Sequence, residues 1–217
     1  MMEEPQELQI TGKGELRFAK FISFVFHPLL MPTYGFILIF CTKNYIATFV
    51  RYEIKLIIIG ITFFFTFVLP AINAFVLLKM GRIKSLEMES QQERLIPYGS
   101  AVLYYAALLY LFHNSNNFLT IFKTVILGAA CSIVLTLIIN IKWKISAHMI
   151  GVGGVGGALL GIMYRLRVDM EFVFFMIILA AGFIGYARLR LNAHTPAQVY
   201  AGFLLGFLIQ LGLTMTY

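Results

Sequence analysis

Four histidines occur in the 217 residues, and two of them stand among residues able to share their chemistry. His194 lies in Ala187-Arg188-Leu-Arg190-Leu-Asn-Ala-His194-Thr195-Pro196-Ala-Gln198, and His148 in Lys142-Trp143-Lys144-Ile145-Ser146-Ala147-His148. An imidazole gives or takes a proton near neutral pH. Thr195-Pro196 reads as a helix start, with threonine as the cap and proline in the first turn, where its missing N–H costs nothing. Gln198 follows His194 at a spacing of four, so the two side chains can hydrogen-bond. Ser146 reads as a second cap, which leaves free backbone N–H groups and a positive helix end beside His148, an arrangement that favours an anion. A third stretch, Lys79 to Pro97, carries Arg82, Lys84, Glu89, Glu93 and Arg94 and is the most charged in the chain. Alone, it reads as a solvated loop or one lying on lipid headgroups. Together the three stretches offer Arg, Lys, Ser, two His and a helix N-terminus, a set suited to binding and attacking a phosphate group.

The elements that must position these residues are membrane helices. Sixty per cent of the chain is apolar and 12% charged, with a mean hydropathy of +0.85. An ordinary water-soluble domain is about half apolar and about one-quarter charged. A helix crossing roughly 30 Å of hydrocarbon needs about 20 apolar residues, and seven segments qualify: about 21–41, 56–78, 97–112, 118–140, 146–164, 170–187 and 196–216. The expected fold is an all-α polytopic membrane bundle of six or seven transmembrane helices, with a polar tail over residues 1–17 and one domain over 18–217. His27-Pro28 and Met31-Pro32 interrupt the first segment, which is expected to be kinked or re-entrant, because lipid cannot replace a missing backbone donor. His27 itself reads as a helix-end or interhelical hydrogen-bonding residue, or as part of a polar cavity wall. The polar, acidic N-terminus does not resemble a cleavable signal.

Counting crossings places all three polar stretches on one side of the membrane. That side holds 11 of the 17 basic residues (Lys13, Arg17, Lys20, Lys79, Arg82, Lys84, Arg94, Lys142, Lys144, Arg188, Arg190). The positive-inside rule then makes it cytoplasmic. Among the 10 acids only Asp169 is an aspartate, which excludes chemistry built on clustered Asp, including intramembrane prenyl transfer with Mg²⁺. Nothing points to nucleic acid. Cys41 and Cys131 lie in apolar runs and read as small packing residues.

In their order, the three stretches resemble the type 2 phosphatidic acid phosphatase superfamily, integral membrane lipid phosphatases whose motifs are Lys-x6-Arg-Pro, Pro-Ser-Gly-His and Ser-Arg-x5-His-x3-Asp. The third is similar here in Arg188, His194 and position 198, and the second in Ser146 and His148 around Ala147. The first is looser, with Lys84 ten residues ahead of Arg94, an offset that on a helix leaves both on nearly one face. The likeness covers about residues 79–210 and not the first 55 or so.

The resemblance implies that His194 is the nucleophile, forming a phosphohistidine, and that His148 protonates the leaving group. It further implies that Lys84, Arg94, Arg188, Ser146 and backbone N–H groups from Ala147 onward hold the phosphate, with no metal or other cofactor. The substrate would be a lipid phosphate or pyrophosphate reaching the site from the bilayer, and the location the bacterial inner membrane, with the site on its outer face. Without Lys84, Arg94, Arg188 and Lys144 the charge count is seven against six and fixes no side. The sequence departs from the family at Gln198, where an Asp is expected; Glu89 or Glu93 from the first stretch is the candidate substitute. A second reading therefore stands beside the first: a catalytically weakened relative that binds or moves anionic lipids.

The run Gly151-Val-Gly153-Gly154-Val-Gly156-Gly157 contains a literal G-x-G-x-x-G, but no strand precedes it. Gly153, Gly157 and Gly161 have the small-x-x-x-small spacing of close helix packing. His113, beside Asn114, Asn116 and Asn117, reads as interfacial, and Gln210 as bonded to a neighbouring helix.

Overall fold

The computed structural model describes residues 12–42, 44–88, 90–113 and 120–216. Most of the polar tail, Glu89, and Asn114, Asn116 and Asn117 lie outside the described residues. Ten α-helices appear among those described: α1 Lys13–Val25, α2 Met31–Cys41, α3 Tyr45–Phe49, α4 Tyr52–Phe63, α5 Leu69–Lys79, α6 Leu95–His113, α7 Thr120–Asn140, α8 Ala147–Leu166, α9 Glu171–Arg190 and α10 Pro196–Thr216. No strand occurs among the described residues. With α1 and α2 taken together, and α4 with α5, seven helical stretches are long and apolar enough to cross a membrane. The protein is an all-α, multi-pass membrane bundle.

The first stretch is broken. α1 ends at Val25, and the His27 side chain caps a 3-10 turn, Pro28–Leu30, by accepting from the Leu29 N–H. α1 buries Ala19 and Ile22 and exposes Lys13, Arg17 and Lys20. In the second stretch a π-helical turn, Phe64–Val68, separates α4 from α5 just ahead of Pro70. A proline cannot donate to the carbonyl four residues earlier, and a π turn is one way the ladder absorbs the gap.

Two boundaries differ from the sequence expectation in ways that matter for the site. α9 runs through Arg190 instead of ending at Ala187, because cations in a last turn meet the negative end of the helix dipole. Arg188 is thus held by a helix. Among the described residues, 80–88, 90 and 91 are turns, bends and irregular chain, not helix. The left-handed φ of Gly81 closes α5, with Gly81 N–H bonded to Leu78 O (3.1 Å) and Arg82 N–H to Leu77 O (2.9 Å), a glycine-ended helix stop. The helical face expected to bring Lys84 beside Arg94 does not exist, and Lys84 is exposed.

α8 and α10 form the tightest pair in the bundle. A Cβ on Gly153 or Gly157 would collide with the carbonyl oxygens of Phe203 or Phe207, and one on Gly206 with that of Ile150. Gly161 faces Thr214 in the same seam. The glycine spacing therefore serves close packing, as in other membrane helix pairs. Gln210 in α10 donates to Val125 O of α7 (2.8 Å).

Candidate functional site

The start of α10 is a reciprocal cap. Thr195 Oγ1 accepts from the Gln198 N–H (3.4 Å), and Gln198 Oε1 accepts from the Thr195 N–H (3.2 Å). This is a capping box with glutamine at the third helical position. The same Oε1 lies 3.0 Å from His194 Nδ1. A backbone N–H only donates, so the amide atom facing Thr195 is the oxygen, and His194 Nδ1 must carry the hydrogen. Nε2 keeps its lone pair. His194 is buried, with 8% exposure. Burial lowers its pKa most, the Gln198 bond opposes that, and Arg188, Arg94 and Lys144 lower it further, to about 4. At neutral pH the ring is an uncharged base with one nitrogen available.

His148 occupies the first turn of α8. Its Nε2 lies 3.1 Å from Ser23 O; a carbonyl oxygen accepts, so Nε2 carries hydrogen and Nδ1 is the atom left to exchange a proton. The His27 ring packs edge-on against it, centroids 5.8 Å apart. Arg188 Nη1 donates to Ser23 Oγ (3.2 Å), so one serine of α1 fixes both a histidine and an arginine. Neither Ser23 nor His27 was among the residues singled out for the phosphate site; the proline break at His27-Pro28 was the only signal.

Arg94 enters from the start of α6 and is 7% exposed. Its Nε donates to Met88 O (2.8 Å), and its guanidinium charge acts on the Tyr98 hydroxyl. The loop that carries it is tied to the α7–α8 junction through Asn140, which donates to Gln91 O (2.8 Å). With its oxygen turned toward them, the Gln91 amide accepts from the N–H groups of Lys144 (2.9 Å) and Trp143 (3.2 Å). These two amides explain how the charged loop reaches the site, and only their polarity at helix ends hints at it in the sequence.

Arg94, Arg188, His148 and His194 form one electrostatic cluster: Arg188 interacts with Arg94 and both histidines, His194 with Arg94, and the two histidines with each other. Lys144 acts on His194, and Glu87 on Arg188. Lys84, by contrast, makes no hydrogen bond or ion pair with this cluster among the described residues. Ser146 takes the N-cap position of α8, but its hydroxyl makes no cap bond. That hydroxyl is fully buried and has no partner; Arg188 Nε is likewise buried and unpaired. Ser146 N–H is bonded to Gln198 O (3.4 Å), joining the starts of α8 and α10. The N–H groups of Ala147 and His148 then head the first turn of α8, where a helix has no internal acceptor for them.

The buried Arg94 and half-buried Arg188 guanidinium groups repel each other, and a buried donor without an acceptor, such as Arg188 Nε, is costly. An anion between them removes both penalties. Cationic donors, a helix N-terminus, an uncharged imidazole and a second imidazole are the parts that phosphoryl transfer uses. Among the described residues no three His, Cys, Asp or Glu side chains converge to hold a metal ion. Asp169 lies at the opposite end of the bundle, between α8 and α9, where its carboxylate accepts from the Glu171 N–H (3.4 Å). Comparisons of the chain with protein-family models, curated proteins and solved structures find no match.

Proposed function

We propose that the protein is a membrane lipid phosphatase of the bacterial inner membrane, hydrolysing a lipid phosphate or pyrophosphate through a phosphohistidine. The observation that carries the reading is the setting of His194: Nδ1–H held by Gln198, Nε2 free, and the charges of the buried Arg94 and the half-buried Arg188 acting on it.

In the first step His194 Nε2 attacks phosphorus and the bond from phosphorus to the leaving oxygen breaks. His148, protonated at Nδ1, gives its proton to that oxygen while Nε2–H stays on Ser23. Arg94, Arg188, Ser146 Oγ and the N–H groups of Ala147 and His148 take up the charge spread over the phosphoryl oxygens. In the second step His148 removes a proton from water, the water oxygen attacks phosphorus, and the phosphorus–nitrogen bond breaks. His194 returns to its uncharged form and inorganic phosphate leaves. Splitting the reaction in this way replaces one difficult displacement with two easier ones.

Gln198 supports a second reading as well. It orients the ring but brings no negative charge to a phosphorylated imidazolium, and neutralising the acid of a hydrolytic triad lowers turnover by orders of magnitude. A protein with weakened catalysis would bind or move anionic lipids with the same cationic pocket. Phosphate release from a panel of lipid phosphates in nanodiscs, by wild type, His194→Ala, His148→Ala and Gln198→Asp, separates the two. Release by wild type that both histidine substitutions abolish supports the phosphatase. No release by wild type, with activity gained in Gln198→Asp, supports the binding protein.

A further inference from the structure

An apolar cavity of about 130 Å³ runs into the bundle behind the phosphate cluster. Its near end is made by Pro28, Tyr98 and Ala147. Each adjoins the cluster: Pro28 follows His27, Ala147 lies between Ser146 and His148, and Tyr98 stands one helical turn from Arg94, whose charge acts on it. Its far end is made by Val125, Leu159 and Gln210. From Ala147 to Leu159 along α8 the axial distance is about 18 Å at about 1.5 Å per residue. That volume is the space open to the centre of a water-sized sphere of about 1.4 Å radius, so spread evenly over the length it corresponds to a slot of roughly 3 Å radius, wide enough for one extended hydrocarbon chain and not for two side by side.

The lining carries no charged residue. At the far end the Gln210 amide, 3% exposed, bonds Val125 O through Nε2 and leaves Oε1 without a partner. This polar group ends the apolar stretch. Water has few partners along the slot, and an empty apolar void of this length forfeits packing contacts. A lipid tail is already solvated by the bilayer, so entering the slot brings little hydrophobic gain; what the slot adds is selection by shape.

Resting on the phosphatase reading, we infer that this cavity receives the tail of the substrate, so that the protein prefers single-chain lipid phosphates or diphosphates to diacyl ones. The phosphate sits at Arg94 and Arg188, and the one chain passes Ala147 and Tyr98 toward Gln210.

The test uses the full chain in nanodiscs and dodecyl phosphate with a diazirine on its terminal carbon. Irradiation should label residues around Val125, Leu159 and Gln210. Unlabelled dodecyl phosphate should compete at least tenfold better than dilauroyl phosphatidic acid. Ala129→Leu and Ala101→Leu, which fill the slot, should lower this labelling at least tenfold while leaving the thermal unfolding midpoint equal or higher. Labelling confined to outward residues such as Phe172 and Tyr200, equal competition by the diacyl lipid, or unchanged labelling in both filled variants overturns the inference. The readout needs no turnover. Labelling as expected without phosphate release sinks the phosphatase and keeps the tail site; release without such labelling does the reverse.

Discussion

Gln198 Oε1 accepts two hydrogen bonds at once, from the backbone N–H of Thr195 (3.2 Å) and from Nδ1 of His194 (3.0 Å). The first belongs to the folding of α10 and the second to the state of the imidazole. Gln198→Leu removes both. Phosphate release should fall by roughly two to three orders of magnitude, in line with losing the orienting group of a triad, and stability by about 1 kcal/mol, as for a lost cap. Gln198→Glu keeps the length and adds charge, and kcat should rise. Equal kcat for wild type and both variants would remove Gln198 from the mechanism.

The proposed nucleophile can be caught. After brief exposure to a ³²P-labelled lipid phosphate and an alkaline quench, radioactivity should travel with the peptide containing His194 and be absent from His194→Ala. Label on the His148 peptide instead would exchange the two roles.

With its pKa pushed down to about 4, His194 should stay uncharged from neutral pH down to about pH 5. The direction follows from burial, which disfavours the charged ring, and from the neighbouring cations, which do the same. Titration of ¹³C-labelled histidine by NMR in the ligand-free protein should place the His194 midpoint well below the ordinary 6.5. Lys144→Gln removes one of the cations, and the midpoint should move up. A wild-type midpoint at 6.5 or above contradicts the environment described.

Arg94 and Arg188 are expected to hold phosphate through charge-assisted bonds. Either residue changed to Gln should weaken inhibition by inorganic phosphate by roughly tenfold to a hundredfold, the loss expected for one bond to a charged group. Lys84→Gln should leave the inhibition constant within about twofold, because exposed charges contribute little.

Packing between α8 and α10 leaves no space at Gly157, where an added methyl meets Phe207 O. Gly157→Ala should lower stability by about 1–3 kcal/mol, the range for overpacking, and reduce activity with it. Gly182 faces open space, and Gly182→Ala should be neutral or slightly stabilising, since alanine suits a helix interior better. Unfolding in a denaturant series would rank the two.

The bundle was legible in the sequence because the hydrocarbon thickness sets helix length, so runs of apolar residues between charged stretches declare themselves. α10 matched its expected span of 196–216, where Thr195-Pro196 marks the start by local chemistry alone. The Gln198–His194 bond was readable for the same reason, as an i, i+4 pair. The partners of His148 and Arg188 were not. Ser23 lies 125 residues from His148 and 165 from Arg188 in sequence, and no local pattern encodes such a contact. Lys84 was misplaced by assuming helix across a segment that Gly81 interrupts, whereas Lys144, a neighbour of His194, was valued only for its charge.

The glycine seam between α8 and α10 also bears on what holds the polar cluster together. With backbone against backbone along that seam, the starts of α8 and α10, and His148 and His194 with them, share one close-packed frame. Ser23 belongs to a different piece, α1, which is separated from α2 by the break at His27-Pro28. His148 and Arg188 both rest on that one residue, so the two side chains share a single anchor, and any displacement of α1 would release both together while leaving the Gln198–His194 pair intact.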